Sequence, residues 1–315
     1  MHPIAFGPVP SRRLGQSLGI NNIPPKVCSF ACPYCQAGRT EQLGTNRREF
    51  YLPALIHEEV SARIEALREE AERVDHLTFA PDGEPTLDVN LGREIDLLGD
   101  LGVPIAVITN SSLLWRHDVR QELARANWVS LKLDAASELA WHRVDRPHRQ
   151  LDLGAILQGM LAFGHEFKGT LVTETMLVGG ANDSPDDADE LGRFLARLAP
   201  RTAYVSIPIR PPAEAAIKAP SEAVVTSYVE TLMRHVPEVV CLMAYEREPF
   251  GCTGDAERDI LGVVAVHPMR EQSVLELLAR AGEKPDLLAS LLARHLLVRV
   301  EHAGETFYAR ALRRP

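Results

Sequence analysis

No apolar run in this 315-residue chain approaches the roughly 18 to 20 residues that cross a membrane. The N-terminus, Met-His-Pro-Ile-Ala-Phe-Gly-Pro, lacks the basic start and apolar core of a signal peptide. Positive charge is not in excess either. The formal net charge is −9, which argues against broad, nonspecific nucleic-acid binding. Cysteines number five, too few for a disulfide scaffold, and three of them cluster, which fits a reducing compartment. A second CxxC or CxxH pair of the kind that closes a zinc site is absent. These absences lead us to expect a cytoplasmic protein that does not associate with membranes. Apolar residues make up 45% of the chain, so a large core can be buried, and the length allows one large domain and a small one.

The most informative segment is Cys28-Ser-Phe-Ala-Cys32-Pro-Tyr-Cys35. Clustered thiolates usually hold a metal. Three ligands leave a four-ligand site one short. Either Cys241 or Cys252 closes it, or one metal position stays open for chemistry. The segment is also locally basic: residues 1–48 carry Arg12, Arg13, Lys26, Arg39, Arg47 and Arg48 against Glu41 alone. Such a segment suits something anionic.

Beyond the cysteines, strand-like and helix-like patterns alternate. Helices are expected over 52–74, 91–101, 119–126, 151–163, 185–198 and 221–235. Strands are expected over 17–21, 76–80, 104–110, 128–135, 170–179 and 202–210. Repeated strand-helix units imply parallel strands, and about six units suit an open, partial barrel rather than a closed one of eight. From residue 251 the alternation stops. Three short helices (255–264, 271–281, 285–293) precede a hairpin pattern over 296–301 and 306–311, an order resembling a winged-helix module. Its acids and bases cancel, and its third helix is mostly Leu and Ala, so DNA reading is not expected. The expected division is therefore 1–250 and 251–315.

Parallel barrels place chemistry on the loops after their strands. One such loop reads Pro81-Asp-Gly83-Glu84-Pro85, where backbone carbonyls and the Glu84 carboxylate suit an ammonium group. Another ends in Asn110-Ser111-Ser112. Period-two alternation puts Ser130, Lys132 and Asp134 on one strand face, Tyr204, Ser206 and Arg210 on another, and Glu174 mid-strand on a third. In a sheet covered on its outer face, that polar set faces a ligand-filled interior. Arg143, Arg146 and Arg149 around His148 have the composition of an anion clamp.

The CxxxCxxC spacing, with Tyr34 just before the last cysteine, resembles the cluster motif of the radical S-adenosylmethionine (SAM) superfamily. Gly83-Glu84-Pro85 resembles that superfamily's Gly-Glu-Pro motif, with Asp82 standing where a glycine is usual. The resemblance implies a partial (β/α)6 barrel with a [4Fe–4S] cluster on Cys28, Cys32 and Cys35, whose fourth iron is chelated by SAM. It implies SAM contacts from Tyr34, Gly83, Glu84, Pro85, Asn110, Ser111 and Ser206, and the inward polar set gives Lys132, Asp134, Glu174 and Arg210 as candidate catalytic residues around the substrate. It also implies a one-electron donor of the flavodoxin or ferredoxin type. Reductive cleavage of SAM would then give methionine and a 5′-deoxyadenosyl radical that abstracts hydrogen from a substrate, anionic by the inward Arg and Lys.

Further segments, Gly7–Gly15, Glu174–Val178 and Arg210–Glu214, resemble a subgroup related to the wyosine tRNA synthases. Those enzymes carry a second cluster on upstream cysteines, and no cysteine precedes Cys28 here. A wyosine-like tRNA modification is the alternative within the family. Outside it stand a metal-sensing winged-helix regulator and an electron carrier with a fully ligated cluster.

Overall fold

The computed structural model describes residues 3–243 and 248–311. The first strands are β1 (Ala5–Ser11), β2 (Gly15–Ile20) and the short parallel pair β3 (Val27–Cys28) and β4 (Gln42–Leu43). Then follow α1 (Pro53–Glu69), β5 (His76–Phe79), a 3-10 turn (Pro85–Leu87), α2 (Leu91–Gly99), β6 (Ile105–Thr109), α3 (His117–Leu123), β7 (Trp128–Lys132), α4 (Glu138–Val144), α5 (Leu153–Glu166), β8 (Thr170–Met176), α6 (Pro185–Leu198), β9 (Thr202–Ser206), α7 (Glu222–Met233) and β10 (Val239–Leu242).

Local chemistry accounts for these boundaries. Proline occupies the first helical turn of α1 and α6, where its missing N–H removes nothing. Ser137, Asp152, Ser184 and Ser221 each accept a hydrogen bond from a backbone N–H in the first turn of α4, α5, α6 and α7. The spacing of Ile56, Val60, Ile64 and Leu67 buries one face of α1.

The main sheet has the order β1-β2-β5-β6-β7-β8-β9-β10. Seven strands run parallel, and β1 pairs antiparallel to β2 at one edge. Because β1 and β10 do not pair, the barrel stays open. On the outer sheet face Val129, Leu131, Ala203 and Val205 join the large core under the helices. Leu14, Ala106, Trp128 and Val172 form a separate apolar plug inside the half-barrel, with Ile108 and Tyr204 against it. The same inner face carries Ser130, Lys132 and Glu174 above the plug.

The six expected strands are present but understate the sheet. The edge strand β1 is not among the expected strands, since Gly7, Pro8 and Pro10 obscure its alternation. The seventh parallel strand, β10, is four residues long and too short for periodicity to mark. Helix α4 is not among the expected helices, and its seven residues include an exposed Leu139 that breaks the apolar pattern. Expected strands over 128–135, 170–179 and 202–210 end earlier, at Lys132, Met176 and Ser206. Asp134 and Arg210 therefore sit on loops.

After residue 250 come α8 (Ala256–Val264), β11 (Met269–Arg270), α9 (Glu271–Arg280), α10 (Asp286–Ala293), β12 (Leu297–His302) and β13 (Glu305–Arg310). The last three strands form an antiparallel sheet in the order β11-β13-β12. This part has its own core, centred on Ile260, Val263, Val274, Leu277 and Leu291. It is also fastened to the half-barrel. Phe6 of β1 packs with Ala265 and Val266, and Gly251 N–H donates to the Pro8 carbonyl at 2.8 Å. Arg63 of α1, only 4% exposed, donates to the Gly7 carbonyl and pairs with Asp259 of α8 at 2.7 Å. Asp259 also accepts from Thr253 N–H at 2.7 Å and Thr253 Oγ1 at 2.8 Å.

Breaking a buried pair leaves the other charge without a counterion. Asp259→Ala is therefore expected to cost about 3–5 kcal/mol in chemical denaturation of the full chain. A second test uses Glu94 of α2, which is fully buried beside Asp88. Burial and the Asp88 carboxylate push its carboxyl up to about 9 from an ordinary 4.5. Folded Glu94 thus holds a proton that the unfolded chain releases, and stability should fall as pH rises between 4.5 and about 9. Glu94→Gln should flatten that slope in pH-dependent melting.

Candidate active site

The cysteine loop is held over the open end of the half-barrel by contacts from several strand-following loops. Lys26 N–H donates to the Asp82 carbonyl at 2.7 Å, and Glu84 N–H donates to the Val27 carbonyl at 3.1 Å. Val27 and Gly83 form a β-bridge. Gly83 is required there, because a Cβ would collide with the Val27 carbonyl oxygen. From the loop after β7 and α4, His148 N–H donates to the Ser29 carbonyl at 2.9 Å, and Ala31 N–H reaches the Asp145 carbonyl at 3.1 Å.

Cys28, Cys32 and Cys35 all line one cavity of about 400 Å³ inside the half-barrel. Cys241 and Cys252 do not line it, and all five thiols are free of disulfides. Burial pushes the Cys28 thiol up to about 12, and it raises Cys32 and Cys35 as well. Metal binding here therefore releases protons. Among the described residues, no three His, Cys, Asp or Glu side chains converge on a single metal ion. Three thiols around one space with no fourth fit a cluster, whose thiolates stand on separate irons, better than a mononuclear zinc site. Asn110 Nδ2 approaches Cys28 Sγ at 3.5 Å, and Cys32 Sγ lies 3.5 Å from Asp145 Oδ1. Such contacts tune a sulfur ligand.

Glu84 is 1% exposed, and its carboxylate has protein partners. Oε1 accepts from Thr86 N–H at 3.0 Å, Thr86 Oγ1 at 2.6 Å and Thr109 Oγ1 at 2.6 Å. Oε2 accepts from Asn110 N–H at 2.7 Å. The carboxylate is thus a strut between the loops after β5 and β6, with only Oε2 retaining an acceptor position. The sequence-based view of Glu84 as a direct ammonium ligand missed this occupation. The Asn110 side chain is also committed: its amide donates to Ser29 Oγ at 2.8 Å and accepts from Ser112 N–H at 3.0 Å. Two expected ligands lie elsewhere. Pro85 starts the 3-10 turn and Ser111 is buried at a positive φ of 68°; neither lines the cavity.

The expected substrate residues divide similarly. Lys132, Glu174, Ser206 and Arg210 line the cavity, and Asp134 does not. Asp134 is 1% exposed and accepts from Tyr34 Oη and from Met176 N–H at 2.7 Å. It is a support for its neighbours. Tyr34 lines the cavity too, but its hydroxyl also donates to Asp145 at 3.1 Å and is taken. Lys132 Nζ lies 3.4 Å from Asp134 and 5.1 Å from the Tyr34 ring centroid. Burial opposes its charge, but Asp134, Glu174 and Asp145 outweigh burial and hold its pKa above the ordinary lysine value. For Glu174 burial also opposes charge, yet Arg13 and Lys132 bring its carboxyl down to about 2. Ser206 Oγ donates to Glu174 at 3.1 Å.

Three cavity cations were not singled out as site residues by sequence: Arg12, Arg13 and Lys26. Arg13 pairs with Glu174 and stacks its guanidinium 5.9 Å from Trp128 and 5.7 Å from Tyr204. Their signal was the basic N-terminal segment. That signal was mixed, because Arg47 in the same segment is spent on Asp118, Glu122 and two carbonyls. The proposed Arg clamp near His148 is not assembled as such, since Arg146 pairs with Glu214 at 2.6 Å.

Glu84→Ala should leave two backbone N–H groups and two hydroxyls without their acceptor. Each buried unpaired group costs about 1–3 kcal/mol. The metal-free variant is expected to lose at least about 3 kcal/mol in denaturant titrations. An unchanged midpoint would remove the strut role.

Residues 22–195 match the family model described as the radical SAM superfamily. The chain is 43% identical over 98% of its length to the UPF0026 protein MJ1312 of Methanocaldococcus jannaschii, covering 97% of that protein. It is 37% identical over 66% of its length to the UPF0026 protein slr1464 of Synechocystis, covering 77% of it. Among solved structures, a radical SAM methyltransferase from Sphaerobacter thermophilus superposes with a TM-score of 0.56 at 19% identity, over 74% of this chain and 67% of the other. TYW1 with a lysine-pyruvate adduct bound gives 0.54 at 18%, over 70% and 74%. At these identities the two structures speak for the fold alone, an open radical SAM barrel. With the family model covering more than half of it, the chain belongs to the radical SAM superfamily, enzymes that bind a [4Fe–4S] cluster and SAM.

Proposed function

We propose that this enzyme cleaves SAM reductively and uses the resulting 5′-deoxyadenosyl radical to abstract hydrogen from an anionic substrate. The observation that carries the reading is the cavity itself. Three cysteines without a fourth share about 400 Å³ with Lys132, Arg210 and the Arg13–Glu174 pair. A [4Fe–4S] cluster with an open iron supplies the one-electron chemistry when bound, fed by a donor of the flavodoxin or ferredoxin type.

The chain's own residues do the rest. Cys28, Cys32 and Cys35 hold the cluster. Asn110 donates to the Cys28 sulfur, and the Glu84 strut fixes the two loops that flank the SAM position. The apolar plug of Leu14, Trp128 and Val172 closes the base of the half-barrel to water. Lys132 and Arg210 offer cationic partners to an anionic group, while Asp134 keeps Lys132 charged and in place. The segment after residue 250, winged-helix-like in its element order, acts in this reading on the substrate side and does not read DNA. The base at the end of α10, Arg294, is already paired with Glu257 at 2.8 Å.

Anaerobic reconstitution is expected to load about four irons per chain. Reduction should then release methionine and 5′-deoxyadenosine from SAM, detected by chromatography. Replacing any of Cys28, Cys32 or Cys35 with Ala should abolish the visible absorbance of the cluster. Cys241→Ser with Cys252→Ser should retain it. A double Ser variant unable to hold iron would instead favour a closed electron-carrying cluster.

A further inference from the structure

The turn that precedes Glu84 is tied to the far end of the chain. Asp82 is 4% exposed, and its two oxygens face two cations. Lys26 Nζ lies 2.9 Å from the carboxylate, and Arg310 Nη2 of β13 lies 3.2 Å from Oδ2. Lys26 is itself a hub. It is 3% exposed, adopts φ of 65°, donates its N–H to the Asp82 carbonyl at 2.7 Å and accepts from Gln42 N–H at 2.9 Å. One buried carboxylate thus joins the start of the cysteine loop, the turn carrying Gly83 and Glu84, and the last strand of the C-terminal sheet.

The same C-terminal segment forms part of the cavity wall. Val266 and His267 line it, and the Val266 carbonyl accepts from Gln36 Nε2, one residue beyond Cys35, at 3.3 Å. Burial is the largest influence on Asp82 and raises its pKa, and Lys26 and Arg310 offset that penalty only in part. Without Arg310, a buried carboxylate keeps one counterion of two, and the turn loses its tie to β13 while keeping those to Lys26 and Val27.

We infer that Arg310 is a positioning residue for SAM: acting through Asp82, it latches the turn at Gly83 and Glu84 in the conformation that receives the amino end of SAM. The C-terminal segment is then a fixed part of the cofactor site as well as an element on the substrate side. This rests on the proposed SAM-binding role of that turn.

The test is calorimetric SAM binding to the reconstituted full-length chain, with iron content and thermal unfolding measured in parallel. Arg310→Ala should weaken SAM binding on the order of 10-fold at unchanged iron content, the scale of one lost charge-assisted contact. Arg310→Lys should recover most of that loss, since a cation returns to Asp82. Asp82→Asn combined with Arg310→Ala should bind no worse than Asp82→Asn alone, because Arg310 acts through Asp82. Arg299→Ala, which removes an exposed cation from the neighbouring strand β12, should bind SAM as the wild type does. Equal SAM affinity in wild type, Arg310→Ala and Arg310→Lys would overturn the inference alone, as would additive losses in the double variant. Failure of the wild-type chain to bind SAM would overturn the inference and the proposed function together.

Discussion

A carboxylate with almost no exposed surface has to find donors, and the donors available to Glu84 belong to two different loops. Thr86 lies on its own turn, while Thr109 and Asn110 end the neighbouring strand β6. Parallel strands fix their own spacing through the ladder, but the loops after them have no ladder of their own. Glu84 supplies the missing connection. With β5 and β6 loops joined, Asn110 can reach across to Ser29 and Cys28, and Gly83 can lie flat against Val27. The placement of the cysteine loop follows from these contacts.

The second constraint is charge. The interior of the half-barrel holds Arg13, Lys26 and Lys132 where a closed barrel would hold apolar layers. Each has an acidic partner: Glu174 for Arg13, Asp82 for Lys26, and Asp134 for Lys132. Paired charges of this kind tolerate burial and remain polar enough to receive a ligand. The apolar plug beneath them gives the cavity an apolar base. Both features suit the radical chemistry proposed above, since a fixed polar lining orients a substrate and a closed base limits water.

The C-terminal residues complete this arrangement from outside the strand-helix repeat. Their core is separate, yet Asp259 sits against Arg63, Val266 against Phe6, and Arg310 against Asp82. Two of these contacts are ion pairs between residues far apart in the chain, Arg63–Asp259 buried at both partners and Arg310–Asp82 at the carboxylate. The segment therefore meets the half-barrel at its edge strand and at its mouth, with Val266 and His267 reaching the cavity.

Much of this was legible in the amino-acid order. The CxxxCxxC spacing marked the loop whose three thiols share the cavity, apolar periodicity marked the helices, and period-two alternation put Lys132 and Glu174 on the inner face. Such signals arise within one or two turns of chain, so local order carries them. Short or irregular elements escaped for the same reason: β10 spans four residues, and the glycine and prolines of β1 mask its alternation. The roles of the polar residues were decided by tertiary structure. Glu84 reads as a ligand in sequence, and in space it lines the cavity and also ties two loops together; Asp134 reads as part of the substrate site and lies behind the cavity wall, supporting Tyr34 and Lys132. Arg13 meets Glu174 across 161 positions, and Arg310 meets Asp82 across 228. The physical reason is that a charge buried among loops takes whichever counterion the topology brings near. That choice depends on strand order and loop convergence, which no local pattern contains.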